Sequence, residues 1–180
     1  MRRALAALCA VVILGIGSPA VAAVEPEYVL KAKILFHVLS YPEWSSQGSW
    51  GDQPFQLAVL GKSPFGTALE AAILGQTVQH RAVQIKYISK IAEAEGCQAV
   101  FICASESARI DAILAWAEKR PILTVSDEER LSKRGVMVNL LMEGRFVRLV
   151  LNPDAAQASG IKLGAHLLKT GRIVSTRRSS

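Results

Sequence analysis

Three places where an apolar run gives way to a helical pattern carry small polar residues: Gly61-Lys62-Ser63, Ser105 and Ser126. In open α/β sheets, ligands settle outside the carboxyl ends of the strands, where helix N-termini offer free N–H groups to anions. Lys62, Ser63, Ser105 and Ser126 are therefore the candidate ligand-binding residues, for an anion or a small metabolite. Each serine equally suits a helix N-cap. Gly61-Lys62-Ser63 looks like the end of a P-loop, but Gln56 stands where that loop needs its first glycine.

Catalytic constellations are scarce. His37, His80 and His166 lie far apart, without metal-ligand spacing, and there is no Gly-x-Ser-x-Gly. Neither Cys97 nor Cys103 has a local nucleophile signature. The expectation is a protein that is not an enzyme, with no catalytic residues, metal or cofactor. Asp127, Glu128 and Glu129 read as solvated helix positions. Lys162, His166 and Lys169 read as a basic strip on the last helix, either solvated or docked on an acidic partner.

The elements that must position these groups alternate. A first helix is predicted over about Glu27 to Tyr41, with Tyr28, Ala32, Leu35 and Leu39 on one stripe. Leu30, Ile34 and Val38 occupy much of the other side, leaving Lys33, His37 and Ser40 as a narrow polar strip. Such a helix needs cover on more than one side. Strands follow at 55–61, 83–88, 98–104 and 121–126, with a hairpin over 136–152 turning at Glu143-Gly144. Helices are expected between them: one from Pro64 with Ser63 as cap, one over 105–119, one capped by Ser126 and Glu129, and a helical tail. Strands separated by helices imply an α/β three-layer sandwich. Its sheet is mixed and mainly parallel, covered by helices, with the C-terminal antiparallel hairpin at an edge.

The ends and the composition bound the compartment. Arg2 and Arg3, an apolar run, then small residues to Ala23 make a secretory signal, so residues 1–23 are expected to be removed. That leaves about 157 residues, enough for one domain over 24–174 with a short disordered tail over 175–180. No transmembrane segment is expected in the mature chain. Cleavage lowers the formal charge from +6 to about +4. In an exported protein this excess suits an acidic protein face or anionic lipid rather than nucleic acid. Cys97 and Cys103 flank an extended run about 20 Å long, too far for a bridge that needs Cα atoms within about 7 Å.

The segments KAKILFHVLSYPEW, CQAVFI and ILTVSDEERLSKRGVMVNLLMEGRFVRLVLNPDAAQASGIKLGAHLLKTGRIV resemble, in order, the YfiR family of exported bacterial proteins, the YfiR/HmsC-like group. Matching positions include Trp44, Leu123-Thr124-Val125-Ser126-Asp127, Gly135, Asn139, Asn152, Ala156, Gly160 and Leu167-Leu168-Lys169. The chain departs from the pattern at His37-Val38, where an Asn-Phe pair is usual. It also departs at Ser45, Val136 and the cysteines that bridge some members. The resemblance implies a periplasmic regulator of cyclic di-GMP output and biofilm formation. Its implied partner is the periplasmic domain of an inner-membrane signalling protein, a diguanylate cyclase or a sensor kinase. An outer-membrane lipoprotein that titrates it away and a homodimer are further implied partners. The partner-binding candidates are Lys33, His37, Tyr41, Trp44 and Trp50. Trp44 is expected to fold back under the first helix and Trp50 to stand at the surface as an anchor, because Trp and Tyr bury much area at low entropic cost. The alternative is a periplasmic small-molecule sensor using the strand-end crevice.

Overall fold

The structure is a computed structural model that describes residues 26–44 and 50–175. The expected leader, the serine-rich stretch 45–49 and all but the first residue of the expected tail lie outside the described residues.

Helix α1 (Pro26–Leu39) starts on a proline, tolerated where the N–H has no helical partner anyway. It stops before Pro42, whose ring disfavours helical backbone at the residue ahead of it. A two-residue strand, β1 (Glu43–Trp44), precedes the first core strand, β2 (Phe55–Leu60). Then come α2 (Ala68–Ile73), β3 (Thr77–Val78), β4 (Arg81–Ile88), a 3-10 turn at Ile91–Ala94 and β5 (Ala99–Ile102). A second 3-10 stretch, Ala104–Arg109, runs into α3 (Ile110–Ala117), followed by β6 (Leu123–Ser126) and α4 (Glu129–Ser132). The chain closes with β7 (Val138–Glu143), β8 (Phe146–Leu151), α5 (Pro153–Ala158), β9 (Ile161–Lys162), α6 (Ala165–Thr170) and β10 (Arg172–Ile173).

Eight strands form one sheet in the order β10-β8-β7-β6-β5-β2-β4-β3, and β1 pairs with β9 apart from it. The pairs among β4, β2, β5, β6 and β7 are all parallel, and β8 returns antiparallel to β7. This is the predicted α/β architecture. Alternation along each strand makes two cores. Leu57, Val59, Phe101, Leu123 and Val125 face α1, together with Leu35 and Leu39. Ala58, Leu60, Val100 and Ile102 face the other way, against Ile110, Ile113 and Ala117 of α3.

Local expectations were corrected in four places. Ser63 caps no helix: its hydroxyl accepts the Phe65 N–H, and α2 begins only at Ala68. Ser126 forms no capping box with Glu129; its hydroxyl donates to the Ile102 carbonyl at 2.9 Å and accepts the Glu128 N–H at 3.3 Å. The hairpin turns on Gly144-Arg145, because Glu143 still pairs with Phe146, and Gly144 has the left-handed φ of 62° that a tight two-residue loop requires. The tail is interrupted by β9, so Lys162 stands on a strand and only His166 and Lys169 share α6. Ser175 is held, its hydroxyl donating to Asp154 at 2.5 Å.

Candidate functional site

The polar strip of α1 ends at a stacked array. Lys33 and His37 are exposed one turn apart, and Tyr41 follows just beyond the helix. The Tyr41 hydroxyl and His37 Nε2 share a hydrogen bond of 2.6 Å, the two rings meeting edge to face at 4.9 Å. The other side of Tyr41 stacks on His166 of α6, centroids 5.0 Å apart and planes 24° from parallel. This closeness depends on Gly164 at the N-cap of α6, where a Cβ would come 2.8 Å from the Tyr41 carbonyl oxygen. Lys169 lies three residues past His166, a spacing that puts both on one helix face. Lys162 lies on β9, 3.6 Å from Glu43 of β1. The polar strip of α1 and helix α6, far apart in sequence, thus meet at Tyr41 through His37 and His166. The array can stack on, or hydrogen-bond to, an incoming surface.

Trp44 lies behind this face. It is 3% exposed, pinned by the pairing of β1 with β9, and meets Phe55 edge-on at 5.7 Å. Trp50 is half-buried against it at 5.6 Å, so it packs on the core instead of standing free as an anchor.

The strand-end candidates separate. The sheet order reverses between β2 and β5, and Lys62, Ser63 and Ser105 sit at the carboxyl ends of those two strands. There Ser105 Oγ accepts the Lys62 N–H at 2.9 Å, and the nearly buried Glu106 takes an ion pair from Arg109. The chain's own side chains fill the junction. Gly61 passes so close, with a φ of 92°, that a Cβ there would lie 2.7 Å from Glu106 Oε1. Ser126 is one strand further along and fully buried.

A third group was not legible in the sequence. Lys31, 3% exposed, pairs with Asp127 at 2.8 Å across 96 residues, and Asp127 is itself 5% exposed. Glu27 also contacts Lys31, while Tyr28 has its pKa raised, by burial first and then by the nearby Asp127 charge. Cys103 is fully buried in the α1-side core, and burial, with Asp127 and Glu106 nearby, pushes its thiol up to about 12. Cys97 is a second free, buried thiol, raised by its own burial, on the α3 side. The Lys31–Asp127 pair ties α1 to the end of β6. Among the described residues no cluster of His, Cys, Asp and Glu could hold a metal ion, and no helix is long and apolar enough to cross a membrane.

The sequence profile of the YfiR/HmsC-like family matches residues 28–172, from α1 to the first residue of β10. The chain belongs to that family. Among curated proteins none is similar enough in sequence to match. Among solved structures, a conserved domain protein from Vibrio cholerae O1 biovar El Tor strain N16961 shares the fold, with a TM-score of 0.56 and 11% identity. That similarity covers 82% of this chain and 60% of the Vibrio protein, so the YfiR/HmsC-like chain spans about three-fifths of its length. At that identity the likeness speaks for fold alone. The family match includes all the residues of the Lys33–His37–Tyr41 strip, together with His166 and Lys169.

Proposed function

We propose that this YfiR/HmsC-like protein is a periplasmic regulator that acts by protein–protein contact and carries out no catalysis. It represses the periplasmic domain of an inner-membrane signalling protein, such as a diguanylate cyclase, and so lowers cyclic di-GMP and biofilm output. The observation that carries this reading is the His37–Tyr41–His166 array, flanked by the exposed Lys33 and Lys169. An aromatic ring held by two neighbours loses little entropy when a partner covers it, and the surrounding cations favour an acidic face. Repression follows if the regulator binds the inactive form of its partner better than the active one, because only differential affinity shifts an equilibrium. A small-molecule sensor at Lys62, Ser63 and Ser105 is less favoured, since a ligand would have to displace Ser105 and Glu106 from each other and from Arg109.

The test is affinity capture from a solubilised envelope fraction with the purified protein and with Tyr41→Ala. The reading requires enrichment of an inner-membrane protein with a periplasmic sensor domain, lost in the variant while circular dichroism shows that the variant is folded. Equal capture by both proteins would remove the array from the interface; an empty capture with folded protein would remove the regulator itself.

A further inference from the structure

A cleft of about 580 Å³ is bordered by α3 and α5 and lies at the amino ends of β6 and β7. It is at the opposite end of the parallel strands from Lys62, Ser63 and Ser105, and it shares no residue with the His37–Tyr41–His166 array. Its size falls within the roughly 300–1,000 Å³ of small-molecule pockets. The space exists because the facing residues are small: Ala117 on α3, Gly135 on the approach to β7, and Ala155, Ala158 and Ser159 on or beside α5. Leu114 and Met137 add larger apolar surface.

Charges of both signs line this space: the acids Glu118 and Asp154, and the cations Lys133 and Arg134. Arg134 is committed, its guanidinium donating to both carboxylate oxygens of Asp111. Asp154 accepts one O–H, from Ser175 at 2.5 Å, and its remaining lone pairs can take further donors. Lys133 is exposed, and its ammonium has no partner among the described residues. Two hydroxyls are only half used. Ser159, nearly buried at the cleft wall, donates to the Ala117 and Glu118 carbonyls at 3.4 and 3.2 Å, and Ser175 donates to Asp154. Both keep lone pairs that accept an N–H. The cleft thus offers an ammonium for a carboxylate, carboxylates for an ammonium, hydroxyl acceptors for amide N–H groups, and an apolar wall for short side chains.

We infer that this cleft binds a short peptide with free termini and small apolar side chains. An anion is attracted by Lys133 and repelled by Glu118 and Asp154, and a cation meets the reverse, so an ion of either single sign is disfavoured. A molecule carrying both charges, with amide and hydrocarbon groups between them, sets each sign against its opposite. A single amino acid has the two charges but no amide N–H for Ser159 and Ser175. A segment within a folded partner brings amides without the terminal charges. Because the cleft uses none of the groups of the His37–Tyr41–His166 array, this site stands or falls separately from the regulatory reading.

The test is isothermal titration of the purified full chain with trialanine, with melting temperature followed in parallel. The controls are free alanine, N-acetyl-trialanine, trialanine amide and sodium phosphate. Trialanine binds saturably, and alanine, phosphate and both blocked peptides bind at least tenfold more weakly. Lys133→Met, a change at an exposed position, weakens trialanine to the level of its amide and leaves the amide unaffected, because the carboxylate is read at Lys133. Ala158→Trp, also at an exposed position, fills the cleft and abolishes binding while circular dichroism reports a folded chain. Neither heat nor a melting shift at millimolar trialanine overturns the site. Equal binding of the blocked peptides or of phosphate overturns the zwitterionic ligand, and equal binding of alanine overturns the peptide. Binding that survives in Ala158→Trp overturns the location. If that variant does not fold, the Lys133→Met comparison decides: an unchanged preference for trialanine over its amide removes the cleft from the binding.

Discussion

Lys31 sits on the covered side of α1 with its ammonium between Asp127 and Glu27, so removing either member of the inner pair leaves a charge out of water. Lys31→Met is expected to destabilise the fold by about 3–5 kcal/mol in urea titration, and Lys31→Met/Asp127→Leu to recover most of it, since the double change strands no charge. Asp127 was read from the sequence as a solvated helix position, and that reading failed because its partner is 96 residues away. Cys103 supplies a prediction in pH. Its thiol keeps its proton in the folded state up to about 12, whereas the unfolded chain ionises near 9. Above pH 9 the unfolded state binds fewer protons, so stability falls as pH rises, by up to about 1.4 kcal/mol per unit. Between pH 9 and 10.5 the wild type should lose about 1 kcal/mol per unit more than Cys103→Ala. Equal slopes would mean that the thiol is not sequestered.

Glycine positions carry the argument at the scale of elements. Gly61 ends β2 in left-handed backbone and touches Glu106, whereas Gly75, also at positive φ, has nothing within 4 Å. Gly61→Ala should therefore cost about 2–4 kcal/mol, strain plus overpacking, and Gly75→Ala about 1 kcal/mol from strain alone. Similar losses at the two sites would count against the close approach at the strand ends. The parallel strands were legible because QAVFICA and PILTVS are continuous apolar runs, the pattern of strands covered on both faces. The hairpin was legible from its alternation. The missing elements are those whose cause is not local. Strand β3 turns into β4 through Gln79-His80, two residues that give no turn signal, and β9 exists because Ile161 pairs with Trp44. Serines misled for a related reason: an N-cap and a side chain satisfying a loop N–H have the same sequence signature.

For the molecule as a whole, the informative feature is the meeting of two ends of the chain. Helix α1 and helix α6 are more than 120 residues apart in sequence, yet Tyr41 stacks on His166. The sequence displayed the polar strip of α1, the basic residues of the tail and the aromatic segment but not their contact, which depends on β1 pairing with β9 and on Gly164 letting the backbones approach. If this face is the regulatory surface, its charged and aromatic parts should act on different rate constants. Lys33 and Lys169 are exposed and screened by salt, so raising sodium chloride from 50 to 500 mM should slow association with the captured partner about tenfold and leave dissociation nearly unchanged. Tyr41→Ala removes a packed ring and should accelerate dissociation about tenfold or more, at any salt concentration, with little effect on association. Surface plasmon resonance on the wild type and the variant at both salt concentrations separates the two effects. Salt acting only on dissociation would show that the lysines do not guide the encounter. A Tyr41→Ala effect confined to association would show that the ring is not buried in the complex.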